Sequence, residues 1–249
     1  MFQGNCRECE VKTLIVIPTY NERENIKDLV ERIFSVYPDF EVFAVDDNSP
    51  DGTGEMLETL KRTYPRLHVV HRPSKLGIGS AHLLGLKFAV ERDFNGAVTM
   101  DADLSHDPSY IRPLTAKSEE FDLVIGSRHV ENGGFEATPW PRVLFSRFSN
   151  FLLRFVLGGS FRDYTSGFRC YSVKALQRSG LPKNLSGGYS FLVEILHFLD
   201  KESFSVLEIP IIFKYRQFGK SKISSGEIMD TLAVALKLFS RRLLRLKGG

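Results

Sequence analysis

Five short runs rich in β-branched residues punctuate the first half of the chain: TLIVIP (13 to 18), EVFAVDD (41 to 47), LHVVH (67 to 71), AVTMD (97 to 101) and DLVIGS (122 to 127). Each has the length and unbroken apolar character of a strand buried on both faces of a parallel sheet. The stretches between them carry apolar residues at helical spacing, over residues 24 to 36, 53 to 64, 79 to 92 and 108 to about 118. Strand and helix alternating this regularly predict an α/β fold with a doubly wound, mostly parallel sheet.

Beyond about residue 130 the regularity ends. Pro139-Trp140-Pro141 marks a turn, and residues 142 to 157 form a helix-like run rich in Phe and Leu, with Arg142, Arg147 and Arg154 interspersed. That run reads either as a helix packed on the sheet or as an amphipathic helix at a lipid surface. A second run, 228 to 246, sets Ile228, Leu232, Leu236, Phe239, Leu243 and Leu246 three or four residues apart in one stripe. Lys237, Arg241, Arg242, Arg245 and Lys247 accompany it, which predicts binding at an anionic membrane interface.

Composition narrows the class. At 249 residues the chain suits one large α/β domain better than two small ones, and 43% hydrophobic with 25% charged residues excludes disorder and fibrous repeats. A net charge of +3 gives no reason to expect a nucleic-acid partner. Cys6, Cys9 and Cys170 form no disulfide framework, and Cys6-Arg7-Glu8-Cys9 lacks the second pair that zinc would want, which suggests a reduced, cytosol-facing protein. The opening residues lack a signal-peptide core and no window offers roughly eighteen consecutive apolar residues, so no membrane-spanning helix is expected.

A doubly wound sheet binds ligands beyond the carboxyl ends of its strands. Here those ends read Pro18-Thr19-Tyr20-Asn21-Glu22, Asp46-Asp47-Asn48-Ser49-Pro50-Asp51-Gly52, Lys75-Leu76-Gly77-Ile78-Gly79-Ser80, Asp101-Ala102-Asp103 and Gly126-Ser127-Arg128. A dinucleotide fingerprint would need glycines directly after the first strand, and none stands there; Gly77-Ile78-Gly79 comes later, with His82 at the third glycine position. A Walker loop is absent too. Asp101 and Asp103, two residues apart at a strand end, can aim both carboxylates at one point, where they repel unless a cation lies between them. Mg²⁺ or Mn²⁺ bridging to a diphosphate fits that pair. Asp107, followed by Pro108, reads instead as a helix cap.

These stretches, extended through Thr53, Ala81 and Met100-Asp101-Ala102-Asp103-Leu104-Ser105-His106, resemble family 2 glycosyltransferases of the GT-A fold, and within them the dolichyl-phosphate (polyprenyl-phosphate) mannose synthases. The similarity continues through Ser166-Gly167-Phe168-Arg169 and Gly219-Lys220-Ser221-Lys222, so it spans nearly all of the chain after residue 12. It implies transfer of mannose from GDP-mannose to a polyprenyl (dolichyl) phosphate, with Mg²⁺ or Mn²⁺ as cofactor. By the same resemblance Pro18, Tyr20, Glu22, Val45 and Asp47 hold the nucleoside, and Asp101, Ala102 and Asp103 line the diphosphate and metal. Ser105, where some members carry a glutamine ligand, is a third candidate metal ligand. Arg128, Arg216 and Lys222 match basic residues around the phosphates, and Arg142 with Ser146 match the acceptor-phosphate site. Asp103, Arg128, Arg142 and Ser146 are thus the expected catalytic set. Many members carry C-terminal transmembrane helices. This chain ends without them, so a peripheral location on the cytoplasmic face of a membrane is expected, through its amphipathic segments or a small membrane-anchoring subunit. The implied organisation is a tail over 1 to 12, a GT-A domain over 13 to 225 and a basic amphipathic membrane-interface helix over 226 to 249.

Elementary chemistry agrees on one point. A hydroxyl acceptor would need a general base, whereas a phosphomonoester, with a second pKa of about 6, is already largely dianionic at neutral pH. It needs cations to orient it, and arginine's fork suits two oxygens at once. In-line attack on the anomeric carbon then inverts its configuration and gives a β-linked product. The competing expectations are another donor such as UDP-glucose, a non-lipid acceptor, or a non-catalytic nucleotide-binding membrane adaptor.

Overall fold

The computed structural model describes residues 12–181, 185–216 and 225–247. Its centre is β1 (Thr13–Thr19), whose Leu14, Ile15, Val16 and Ile17 are wholly buried. Because side chains alternate along a strand, Leu14 and Val16 enter one core and Ile15 and Ile17 the other. The unbroken apolar run is the mark of a strand covered on both faces.

Around β1 the sheet has seven strands. β2 (Glu41–Asp46) and β4 (Gly96–Thr99) flank β1 in parallel, and β3 (Leu67–His71) extends the β2 edge, also in parallel. On the other side β7 (Arg169–Ser172) lies antiparallel between β4 and β5 (Leu123–Ser127), and β8 (Val206–Pro210) pairs in parallel with β5, giving the order β3-β2-β1-β4-β7-β5-β8. The antiparallel insertion of β7 is the feature that strand-helix alternation does not foresee. A separate two-stranded parallel ribbon joins β6 (Gly134–Glu136) to β9 (Ile212–Lys214).

Helices cover both faces. α1 (Arg23–Val36), α2 (Thr53–Thr63) and α4 (Ile111–Lys117) bury Ile26, Leu29, Ile33, Leu57, Leu60, Ile111 and Leu114 on one side. On the other, α3 (Ile78–Glu91), α6 (Val173–Ser179) and α7 (Phe191–Lys201) contribute Ala81, Leu86, Leu176, Ile195 and Leu196. The predicted helix from 108 begins as a 3-10 turn, with Asp107 accepting from the Ser109 N–H at 2.9 Å and Pro108 in its first position.

Two long helices follow the pattern only in part. α5 (Trp140–Leu157) starts inside the segment read as a turn, because Pro141 sits where a helix has no use for its N–H, and it ends at Gly158 in the left-handed conformation. Its Asn150, Leu153 and Leu157 are buried, whereas Trp140, Leu144, Phe148, Phe151 and Phe155 are between 57% and 76% exposed. The run is therefore a helix packed through one face, with its large apolar side chains exposed on the other. α8 (Ser225–Lys247) packs on the core through Ala235 and Leu238, one step round from the predicted stripe, and leaves Leu236 exposed. The side chains of Ile228, Leu232 and residues 241 to 247 lie outside what the structure describes, as do Cys6 and Cys9. Cys170 is buried in β7, where burial pushes its thiol up to about 12. Among the described residues, no helix is long and apolar enough to cross a membrane.

Candidate active site

The carboxyl ends of β1, β2 and β4 open into one cleft. It is lined by Pro18, Thr19, Tyr20, Glu22, Asp47, Lys75, Gly77, Ile78, Asp101, Ala102, Asp103, Tyr189 and Arg216. Asp47, just past β2, is held rigidly: one oxygen accepts from the Gly77 N–H at 2.9 Å and the other pairs with the buried Arg72. Arg72 also donates to the Gly77 carbonyl at 2.9 Å and to Ser80. Gly77 has φ +92° and lies so close to the Gly187 backbone that a Cβ would come within 2.4 Å of its carbonyl oxygen. Only glycine allows that approach. The glycine pair thus seats the first turn of α3 on the 186–188 segment, with Gly79 N–H donating to the same carbonyl at 2.7 Å. Glu22 accepts from the Asn25 side chain at 2.7 Å, and Lys75 lies 4.4 Å from the centre of the Tyr20 ring.

At the cleft floor, Asp103 accepts from the Ser105 N–H at 3.1 Å through one oxygen and meets Arg216 at 2.8 Å through the other. The Asp101 backbone N–H donates to Nδ1 of buried His106 at 3.0 Å, so that nitrogen carries a lone pair and the ring is neutral. Burial lowers the His106 pKa, although Asp101 and Asp103 pull it the other way. Burial likewise raises Asp101, with His106 opposing and Asp103 adding to it. His106 stacks on Phe168, centroids 4.8 Å apart, and a Cβ on Gly167 would stand 3.3 Å from an Asp101 oxygen. Ser166-Gly167-Phe168-Arg169 is therefore the backing of the acidic turn. Arg169, wholly buried, fixes it by donating to the carbonyls of Tyr164, Ser166 and Leu192.

Beyond the end of β5 a second polar group forms. Arg128 grips Asp163 with Nε and Nη2 at 2.8 and 2.7 Å and reaches Thr165 Oγ1 at 2.7 Å. Burial alone would raise Asp163, but Arg128 holds it well below the usual carboxylate range. The same guanidinium lies over Phe135 and Phe213. Asn150 of α5 donates to Thr165 Oγ1 at 3.0 Å, and Ser146, one turn earlier, sits 3.1 Å from His129 Nε2. Arg142, a further turn back, is exposed and lies 5.2 Å from the Tyr215 ring, next in sequence to Arg216.

Compared with known sequences, residues 14–180 match the model of glycosyl transferase family 2. This chain belongs to glycosyl transferase family 2. The glycosyltransferase is 40% identical over 223 residues to the polyprenol monophosphomannose synthase of Mycolicibacterium smegmatis, covering 89% of this chain and 84% of that protein. It is 37% identical to the undecaprenyl-phosphate mannosyltransferase of Micrococcus luteus, over 89% and 91% of the two. Among solved structures it is similar to glucosyl-3-phosphoglycerate synthase from Mycobacterium tuberculosis in complex with Mn²⁺, UDP-glucose and glycerol 3-phosphate (TM-score 0.68, 18% identity, 94% and 82% coverage). It is also similar to mannosyl-3-phosphoglycerate synthase from Rubrobacter xylanophilus (TM-score 0.67, 18% identity, 97% and 76% coverage). The fold is GT-A, as the resemblance implied.

Of the expected site residues, this glycosyltransferase brings Pro18, Tyr20, Glu22, Asp47, Asp101, Ala102, Asp103 and Arg216 to one cleft. Val45 is wholly buried in the β2 core, and its carbonyl accepts from Thr19 at 3.2 Å. Ser105 Oγ is buried without a hydrogen-bond partner, and the Ser105 N–H braces Asp103. Arg128 stands in a buried ion pair outside the cleft lining, with Ser146 in the neighbouring network. Lys222 lies outside the described residues. Sequence reasoning missed Arg72, Tyr189 and the bracing role of His106; Lys75 was placed at a ligand-binding strand end without a role, and His106 had a signal in its place within Asp101-Ala102-Asp103-Leu104-Ser105-His106.

Proposed function

We propose that this glycosyltransferase transfers mannose from GDP-mannose to a polyprenyl (dolichyl) phosphate, with inversion, at the cytoplasmic face of a membrane. The observation that carries this reading is a pair of contacts made by two successive residues: Arg216 meets Asp103 in the acidic cleft, and Tyr215 lies under Arg142 of α5. A nucleotide sugar in the cleft and a lipid phosphate at α5 would meet at that pair. The names and extent of similarity of the two mannosyl-transferring relatives support the sugar and the acceptor.

Asp101 and Asp103 line the cleft with two hard carboxylates, that of Asp103 held by Ser105 and Arg216, and among the described residues no third His, Cys, Asp or Glu joins them. That donor set fits Mg²⁺ or Mn²⁺, which take one or two protein carboxylates beside phosphate oxygens and water. The Mn²⁺ of the tuberculosis structure supports the same choice. When bound, the ion supplies positive charge for the departing diphosphate. The chain's own residues do the rest. Asp47 and Tyr20 border the nucleoside end, Arg216 sits beside the diphosphate end, and Arg142 with Ser146 orient the acceptor phosphate, which needs no base.

The exposed face of α5 supports membrane contact, since Trp140, Leu144, Phe148, Phe151 and Phe155 form a stripe flanked by exposed Arg147 and Arg154. The segment from 226 onward is proposed to add basic contacts to the same surface.

Labelled GDP-mannose with short-chain polyprenyl phosphate tests the reading. Label should pass into the organic phase only when both are present, disappear on chelation and return with Mg²⁺ or Mn²⁺. Preference for UDP-glucose would replace the donor, and donor binding without turnover would favour a non-catalytic adaptor.

A further inference from the structure

We infer that His129 is a positioning residue for the acceptor phosphate, its unprotonated Nε2 holding the Ser146 hydroxyl and the inner face of α5 in register with the end of β5. The inference rests on the proposed acceptor site and deepens it, since His129 is absent from the residues matched to that site by resemblance.

The tautomer follows from geometry. Asn150 Oδ1 accepts from the Tyr164 N–H at 2.7 Å, and its Nδ2 faces the Ser146 carbonyl and Thr165 Oγ1, both at 3.0 Å. The amide is therefore oriented with its NH₂ toward His129, whose Nε2 lies 3.2 Å away. The amide's two hydrogens are met by the two oxygens at 3.0 Å, and an N–H on Nε2 would point at the amide's positive side, so we assign the neutral imidazole with its proton on Nδ1. Ser146 Oγ stands 3.1 Å from Nε2. With the Ser146 hydroxyl donating to it, Nε2 fixes Oγ and the turn of α5 that carries it.

The surroundings keep the ring in this state. Burial lowers its pKa, and Arg128 from the end of β5 and Arg147 from α5 act in the same direction, while Asp163 opposes them. The ring also packs against Phe135, centroids 5.6 Å apart. Together with buried Leu153 and Leu157, these inward polar bonds set the position of α5, and with it Arg142 one turn before Ser146. Protonation would point an N–H at the Asn150 amide and turn the Ser146 bond round, with Oγ as acceptor, and so loosen that register.

Two variants separate positioning from packing. His129→Phe keeps the ring against Phe135 and removes the acceptor; His129→Gln restores an acceptor oxygen. With saturating GDP-mannose, His129→Phe should raise KM for short-chain polyprenyl phosphate by roughly tenfold, the loss of about one hydrogen bond, with donor affinity unchanged and most of the effect reversed in His129→Gln. As pH falls below the ordinary histidine range, acceptor KM should climb more steeply in the unaltered chain than in His129→Gln, the acceptor's own ionisation being common to both. ¹⁵N-histidine spectra should show the Nδ1–H tautomer. An Nε2–H tautomer, equal impairment of both variants, unchanged acceptor KM, or a loss that falls on donor affinity would overturn the inference and leave the proposed function standing. Absence of any transfer to polyprenyl phosphate by the unaltered chain would overturn both.

Discussion

Around the cleft, the charged side chains are fastened to protein: Asp47 to Arg72 and Gly77, Asp103 to Arg216 and Ser105, Glu22 to Asn25. On the outer face of α5 the large side chains, Phe155 at 76% exposure and Trp140 at 73%, spread into the surroundings with little protein against them. One region is preorganised for a small, polar, multiply charged ligand, where misplaced groups would cost binding. The other suits a fluid apolar partner that needs area and no register. The difference teaches that the two substrates proposed for this glycosyltransferase call for different architecture, and Arg142 over Tyr215 is the proposed join between them.

The largest effect should come from the acidic turn. Asp103→Ala removes a proposed metal ligand and the partner of Arg216, so transfer should fall by about a thousandfold, equivalent to about 4 kcal/mol of lost charge stabilisation. Metal-dependent calorimetry with GDP-mannose should weaken in parallel. Full transfer by this variant would break the contrast outright.

Next comes the rigidity of the donor side. Arg72→Met leaves buried Asp47 without its counter-charge, so unfolding free energy should drop by about 3–5 kcal/mol in denaturant titrations, and donor binding should weaken because the Gly77 carbonyl loses its brace. A stable variant with normal donor affinity would show that the cleft is less preorganised than its bonds imply.

On the lipid side, Phe151→Ser combined with Phe155→Ser should reduce flotation with liposomes by at least about tenfold, since each buried aromatic is worth about 1.5–3 kcal/mol. Melting temperature and soluble donor binding should stay where they were, because both side chains are exposed. Equal flotation would transfer the membrane role to α8 or to another surface. The smallest effect belongs to Asp107→Ala, which loses a cap and the 3.0 Å bond to Lys214, for about 1 kcal/mol of stability and little activity. A loss of transfer matching that of Asp103→Ala would undo the separation of these two aspartates.

The donor half was legible because parallel strands announce themselves by continuous apolar runs, and their ligand-binding ends are fixed by topology once the strands are known. Asp101, Asp103, Asp47 and Tyr20 could be placed on that logic together with the family resemblance. The second half was less legible. β7 is four residues long and enters the sheet antiparallel, held by Arg169 through three carbonyls, and no periodicity reports an arginine spent on backbone. Arg72 and His129 were missed for a similar reason. Their partners, Asp47 and Asn150, lie on other elements, so the pairing exists only once the fold is made. The α5 stripe was visible, yet apolar periodicity alone does not tell an inward face from an outward one; that took the burial of Asn150, Leu153 and Leu157.

The central claim is that donor and acceptor sites are separate constructions joined at Arg142. Calorimetry with GDP-mannose on Arg142→Ala, beside the polyprenyl-phosphate transfer assay, tests it most directly. Transfer should be lost with donor affinity nearly unchanged, and Arg142→Lys should recover only part of the rate, restoring charge without the two-pronged geometry. Loss of donor binding in Arg142→Ala, or transfer left intact, would contradict the account.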